Sequence, residues 1–236
     1  MKKILFMTYG HSPALSHARN QLESWGYPLT NNPYKASHVL LPVPSLEENG
    51  NVKGAGPLPD LQEQVWLFGG NLPLCRKRTV DLLQDEHYLQ ENAAITAHCA
   101  LTRLEKPEGK AVLIIGSGRI GSALAQLLQE QGAKVTMAVR SEEKMAQARA
   151  LGYTAISCEG LDAKKYDCIF NTAPAAVLAA SEARCDAILV DLASVRGILG
   201  DRVQWARGLP GKEAPQASGT LIAKTVLRFA LEEDTI

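Results

Sequence analysis

Two rhythms of apolar residues alternate along this chain. Short, almost unbroken apolar runs occupy 4–9, 38–43 and 65–68, and again 111–115, 133–139, 154–156, 166–170 and 187–190. Runs of that length bounded by turn residues suit strands buried on both faces of a parallel sheet. Between them lie stretches whose apolar positions recur every three or four residues. Leu15, Ala18, Leu22 and Trp25 form one such face and end at Gly26; Ile120, Leu124, Leu127 and Leu128 form another and end at Gly132. That spacing is helical, and glycine sits where a helix C-cap belongs. The pattern also predicts helices around 79–84, over 93–104, over 142–151 and over 220–231, the last with Leu221, Ile222, Val226, Phe229 and Ala230 as its apolar face. Strands alternating with helices predict an α/β protein with a doubly wound parallel sheet.

Turn residues divide the pattern. Lys106-Pro107-Glu108-Gly109-Lys110 separates an N-terminal α/β unit, 1–104, from a second α/β unit, 105–215. The helix within 216–236 is expected to cross back and pack on the first unit. Residues 44–59 are rich in Pro, Gly and Asn without periodicity, which reads as a mobile or cleft-lining loop. Gly208-Leu209-Pro210-Gly211-Lys212-Glu213-Ala214-Pro215 reads as a stiff connector. No internal repeat or low-complexity tract is evident.

The second unit opens with Ala111-Val112-Leu113-Ile114-Ile115 followed directly by Gly116-Ser117-Gly118-Arg119-Ile120-Gly121. A buried strand, a Gly-x-Gly-x-x-Gly turn and a helix N-terminus together form a dinucleotide site. Gly116 permits the turn, Gly118 lets phosphates approach, and Gly121 lets the helix lie close to the strand. The amides of Ser117, Arg119 and Ile120 add donors, and the positive end of the helix dipole favours a pyrophosphate. The next strand ends in Val139-Arg140-Ser141, with no carboxylate at its tip to bind a ribose 2′-hydroxyl. Arg140 offers a planar fork suited to a 2′-phosphate, Ser141 a hydroxyl, and Lys144 a second cation one turn on. This places NADP ahead of NAD, although Ser141 also reads as the N-cap of the following helix.

Two further segments end strands at the carboxyl edge, where open α/β sheets bind ligands. Asn171-Thr172-Ala173-Pro174 closes an apolar strand and is expected to open a helix at Pro174, lining the nicotinamide side or capping that helix. Asp191-Leu192-Ala193-Ser194 follows another buried strand, and its carboxylate could hold substrate, orient a base or cap the turn.

Bulk composition narrows the classes. Hydrophobic residues make up 46% of the 236, enough for packed cores. Acidic and basic residues number 25 each and are scattered, which gives no electrostatic case for nucleic acid or an anionic membrane. No apolar run reaches transmembrane length, and the apolar start after Met1-Lys2-Lys3 is too short for a signal peptide. Cys75, Cys99, Cys158, Cys168 and Cys185 form no C-x-x-C pair, so reduced thiols in a cytoplasmic protein are expected. His11, His17, His38, His87 and His98 lack metal-ligand spacing, so no metal site is expected.

An ordered set of segments resembles the A-type subunit of dipicolinate synthase. It comprises Leu41-Pro42-Val43-Pro44 with Gly50-Asn51-Val52, Glu91-Asn92-Ala93-Ala94-Ile95-Thr96-Ala97, the glycine turn, Val139-Arg140-Ser141, Asn171-Thr172-Ala173-Pro174, Asp191-Leu192-Ala193-Ser194, and Gly208-Leu209-Pro210-Gly211 with Ala214-Pro215. The resemblance implies a flavodoxin-like N-terminal domain beside the Rossmann domain, NADP, and oxidation of a dihydrodipicolinate-type precursor to pyridine-2,6-dicarboxylate during sporulation. It also implies a partner, the flavin-binding second subunit of that synthase, and a homodimer. On this reading Pro42, Asn92, Thr96 and Ser194 face the dicarboxylate substrate, Arg196 or Lys212 pairs with a carboxylate, and His98 or Asp191 handles the proton.

The resemblance implies a divergent, shortened member of that family. Tyr9-Gly10-His11-Ser12-Pro13, Ile95-Thr96-Ala97-His98-Cys99-Ala100 and Val195-Arg196-Gly197-Ile198-Leu199-Gly200 depart from the family's loops. His98 also reads as an ordinary helix residue. Two alternatives therefore stand beside the enzyme: a non-catalytic NADP-binding subunit that serves a partner, and a dehydrogenase for a different small hydroxy or imino acid.

Overall fold

The structure is a computed structural model that describes residues 4–73 and 77–233; Met1 to Lys3 and Cys75 lie outside the described residues. The chain forms two compact units, Met1–Asn92 with Pro210–Ile236, and Ala93–Leu209.

The first unit holds a parallel sheet of β1 (Phe6–Thr8), β2 (His38–Leu40), β3 (Trp66–Gly69) and β4 (Thr79–Asp81), its strands in chain order. Helix α1 (Pro13–Ser24) begins at Ser12, whose hydroxyl accepts the Leu15 N–H at 3.1 Å, with Pro13 in the first turn, where its missing N–H costs nothing. Phe6, Leu15, Leu22, Leu40 and Phe68 are fully buried. The C-terminal helix α6 (Pro215–Glu233) packs along α1. The helices approach closely at Gly219, where a Cβ would stand 2.5 Å from the Ala14 carbonyl oxygen.

The segment 79–84, expected as a helix, is β4 followed by a 3₁₀ turn, Leu82–Gln84. So short a stretch cannot offset helix nucleation, whereas pairing with Leu67–Gly69 supplies ladder hydrogen bonds at once. Loop 44–59 is tied down. The buried Ser45 hydroxyl donates to the Pro42 carbonyl at 2.7 Å and accepts the Gly70 N–H at 2.9 Å, and the Tyr9 hydroxyl donates to the Pro57 carbonyl at 2.9 Å.

Helix α2 (Glu86–Leu101) starts well before Ala93, because the Asp85 carboxylate caps it by accepting the Tyr88 N–H at 2.8 Å. The division between units therefore falls within this helix, after Asn92, and not in the turn at 106–110. That turn is part of the second unit: the Gly109 N–H donates to the Gly132 carbonyl and the Lys134 N–H to the Lys110 carbonyl.

The second unit is built on six parallel strands. They are β5 (Ala111–Ile115), β6 (Lys134–Val139), β7 (Thr154–Ser157), β8 (Cys168–Asn171), β10 (Ile188–Asp191) and β12 (Gln204–Trp205), in the order β12-β10-β8-β5-β6-β7. Helices α3 (Arg119–Glu130) and α4 (Glu142–Ala150) follow β5 and β6. The short strands β9 (Leu178–Ala179) and β11 (Ile198–Leu199) pair with each other. No helix opens at Pro174: bends lead from β8 into β9, because the Asn171 side chain closes a turn there in place of a helix cap. The connector before α6 contains a short helix, α5 (Leu209–Glu213).

Candidate dinucleotide-binding site

Strand order reverses between β5 and β8, and such a reversal opens a crevice at the carboxyl ends of the strands. The glycine turn sits there. Gly116 has φ +101°, a left-handed conformation open chiefly to glycine, and a Cβ on it would stand 2.6 Å from Thr172 Oγ1. At Gly121 a Cβ would collide with the Gly116 carbonyl oxygen, so α3 lies directly against the turn. Gly118 is different: a Cβ there would meet nothing within 4 Å, and it is the N-cap of α3 with no side chain capping the helix. Two glycines thus serve packing, and one keeps space open before a helix N-terminus. An anionic diphosphate fits that space.

A cleft of about 170 Å³ adjoins the turn. Gly116, Ser117, Ala173 and Val177 form one side, and Val139, Arg140, Ser141, Lys144 and Cys158 the other. Ser141 caps α4, accepting the Lys144 N–H at 3.3 Å, which holds the lysine's backbone beside the serine hydroxyl. Burial pushes the Cys158 thiol above its ordinary pKa, partly offset by the Arg140 guanidinium. No carboxylate is among the lining residues. Backbone donors beside the turn and two cations among the lining residues suit an anionic ligand, so the residues present fit a dinucleotide.

The remaining predicted residues are dispersed. Thr172 Oγ1 donates to the Ile115 carbonyl at 3.0 Å, fixing the segment against the turn, while Pro174 is exposed. Asn171 is fully buried, with its amide spent on Ala173 and Asp191. Asp191 is fully buried as well, and its carboxylate accepts hydrogen bonds from Asn171 Nδ2 and the backbone N–H groups of Ala193, Gly197 and Ile198. Of the roles considered for it, the geometry is that of a turn cap. Ser194 and Arg196 are exposed, the Arg196 guanidinium lying 5.0 Å from the Trp205 ring centroid. Thr96 is buried on α2; His98, on the same helix, is exposed and not among the cleft-lining residues. Pro42, Asn92 and Lys212 belong to the first unit.

Sequence reasoning missed Cys158 and Val177. Cys158 reaches the cleft because β7 pairs with β6 and the Cys158 N–H donates to the Val139 carbonyl at 3.1 Å, a register that no local pattern announces. Among the described residues no group of three or more His, Cys, Asp or Glu side chains could hold a metal ion. No described helix is long and apolar enough to cross a membrane.

Fold and turn together define an NAD(P)-binding domain of the Rossmann type. Residues 79–178 match the family model described as "D-isomer specific 2-hydroxyacid dehydrogenase, NAD binding domain". In sequence the chain is similar to the A-type subunit of dipicolinate synthase of Bacillus subtilis (strain 168), with 28% identity over 137 residues; the match covers 52% of this chain and spans 46% of that relative's length. Its fold is that of two solved structures. The corresponding dipicolinate synthase protein from Bacillus halodurans superposes with a TM-score of 0.82 at 19% identity, covering 96% of this chain and 97% of the other. The dipicolinate synthase structure from Bacillus subtilis gives 0.82 at 18% identity, covering 100% and 98%.

Proposed function

We propose that this protein is an NADP-dependent oxidoreductase acting on a small, carboxylate-bearing heterocycle, with a dihydrodipicolinate-type precursor oxidised to dipicolinate during sporulation as the specific reaction. The observation that carries the cofactor choice is the wall formed by Arg140, Ser141 and Lys144 at the tip of β6, with no carboxylate in the cleft. A guanidinium fork pairs with a phosphate far better than with a hydroxyl, whereas an acidic residue there would repel the 2′-phosphate.

When bound, the nicotinamide supplies the hydride acceptor. The chain supplies placement. The glycine turn and the α3 N-terminus hold the diphosphate, Arg140 and Lys144 take the 2′-phosphate, and Thr172 and Ala173 set the wall beside the turn. Arg196 and Lys212 are the candidates for a substrate carboxylate, and Pro42, Asn92, Thr96 and Ser194 for the substrate side. His98 is the remaining candidate for proton transfer, because the Asp191 carboxylate is committed to four donors. Cysteines without a C-x-x-C pair support a cytoplasmic protein, and the resemblance supports one that works with a flavin-binding second subunit and forms a homodimer.

Titration of NADP and NAD into the wild type and Arg140→Ala tests the cofactor choice. The variant is expected to lose roughly 10- to 100-fold in NADP affinity, the worth of one charge-assisted hydrogen bond, while NAD affinity holds within about 3-fold. Equal wild-type affinities for the two, or binding of neither at millimolar concentration, refutes the reading. Turnover is followed by the absorbance of reduced nicotinamide with dihydropyridine dicarboxylates. The commitment of Asp191 favours one second reading, a non-catalytic NADP-binding subunit, and tight cofactor binding without turnover on any such substrate would select it.

A further inference from the structure

The structure contains a repeat that the sequence does not display. Strand β8, its bends and β9 are followed twenty residues later by β10, similar bends and β11, each strand residue paired in register with its counterpart: Cys168 with Ile188, Asn171 with Asp191, Leu178 with Ile198. Both loops open with the same device. Asn171 Oδ1 accepts the Ala173 N–H at 3.0 Å, and Asp191 Oδ1 accepts the Ala193 N–H at 3.0 Å, two stacked side-chain-to-backbone turns. Their side chains are joined by Asn171 Nδ2 donating to Asp191 Oδ1 at 3.0 Å, in a fully buried site.

That pair is wired to both ends of the neighbourhood. On one side, Asn171 fixes Ala173, and Thr172 binds Ile115 through its N–H at 2.9 Å and its hydroxyl at 3.0 Å, in the space that a side chain on Gly116 would need. On the other, Asp191 Oδ2 receives the N–H groups of Gly197 at 2.6 Å and Ile198 at 2.8 Å, while the Gly197 carbonyl accepts the Val177 N–H at 2.8 Å. Val177 and Ala173 both line the cleft. Gly197 also has no room for a Cβ, because Asn171 fills it.

We propose that Asp191 and Asn171 form a latch that holds the glycine turn and the second loop, 192–198, as one preorganised unit, so that Asp191 is a positioning residue for the diphosphate–nicotinamide half of the cofactor and not a proton carrier. A buried carboxylate with two donors on each oxygen is rigid, because loss of any bond leaves a desolvated lone pair unpaired. Arg140 and Lys144, on the far wall, are tied to neither loop by this network. The latch therefore acts on one half of the ligand only. This inference rests on the dinucleotide reading of the cleft, and its test separates the two.

Hydrogen exchange on the wild-type protein supplies the first readout. NADP binding is expected to slow exchange of the Gly197 and Ile198 amides at least 10-fold, although neither residue lines the cleft. Calorimetry on Asn171→Ala and Asp191→Asn supplies the second, with NADP and adenosine 2′-monophosphate as ligands. Asn171→Ala breaks the link but leaves Asp191 its three backbone donors; Asp191→Asn replaces one acceptor oxygen by a donor facing two N–H groups. NADP affinity is expected to fall at least 10-fold in either variant, with adenosine 2′-monophosphate affinity within about 3-fold of wild type. Unchanged exchange at Gly197 and Ile198 in the NADP-bound wild type, unchanged NADP affinity in a folded variant, or parallel loss of both ligands overturns the latch while leaving the cofactor site standing. Binding of no dinucleotide to the wild type overturns both.

Discussion

Gly118 and Gly121 belong to one motif, yet the structure assigns them opposite tasks, and alanine at each should separate stability from cofactor binding. At Gly121 the new methyl group would overlap the Gly116 carbonyl oxygen and lie 3.0 Å from Thr172 Oγ1 and 3.2 Å from the Gly116 carbonyl carbon. The obstacle is main chain, which no rotamer change relieves, so α3 has to move away from β5. Overpacking of this kind costs about 1–3 kcal/mol, against a helix-propensity gain of up to about 1 kcal/mol for replacing glycine. The overlap wins, and a net loss near 1–2 kcal/mol corresponds to a fall of roughly 5 °C or more in the melting temperature of a domain this size. At Gly118 the backbone is extended, with φ −73°, and the methyl group would enter open space, so stability should hold within about 0.5 kcal/mol. On the proposed function, that open space is where a pyrophosphate would come within hydrogen-bonding distance of the backbone. A methyl group in it removes one or two charge-assisted hydrogen bonds, together about 2–4 kcal/mol, or roughly 30- to 1000-fold in NADP affinity. Urea denaturation followed by circular dichroism, alongside calorimetric titration of NADP, measures both quantities on both variants. Wild-type NADP affinity in Gly118→Ala, or wild-type stability in Gly121→Ala, would refute the reasoning.

Further outcomes follow from the same geometry. Cys158 lines the cleft, so saturating NADP should slow its alkylation at least 10-fold by peptide mass spectrometry, while the exposed Cys185 reacts unchanged; equal rates with and without NADP would remove Cys158 from the site. Because burial raises the Cys158 pKa, its thiol stays protonated at neutral pH, and its alkylation rate should still climb above the pH, about 8.5, at which a free cysteine thiol is half ionised. Cys168, pushed up to about 12 by burial and by Asp167, should stay unreactive in the folded protein. In the first unit, Gly219→Ala should destabilise by about 1–3 kcal/mol, despite the helical preference for alanine, since the methyl group would press on Ala14, His17 and Ala18 of α1. A stabilised variant in urea denaturation would show that α1 and α6 do not approach there as described.

Local chemistry made much of this protein legible from its residues alone. The unbroken apolar run 111–115, the glycine turn and the helical spacing after it are short-range signals, and together they announced the strand, turn and helix that the structure contains. Val139-Arg140-Ser141 was readable for the same reason: a strand end and a helix cap fix the side chains within a few residues. Signals spread over longer distances were not. The start of α2 was missed because its cap, Asp85, precedes a stretch without a clear apolar face. The segment 79–81 became a strand only because β3 offered it an edge. Asn171 and Asp191 looked like open positions at strand tips, because nothing local shows that two residues twenty apart stack and neutralise each other's hydrogen-bonding needs. Cys158 entered the cleft through sheet register alone. The sequence by itself thus determined most of the strands and helices and a glycine turn ahead of α3, because those depend on neighbours along the chain. Tertiary structure decided which polar groups remain available for chemistry, because burial and long-range hydrogen bonds, not residue type, determine whether a carboxylate or an amide is already spent.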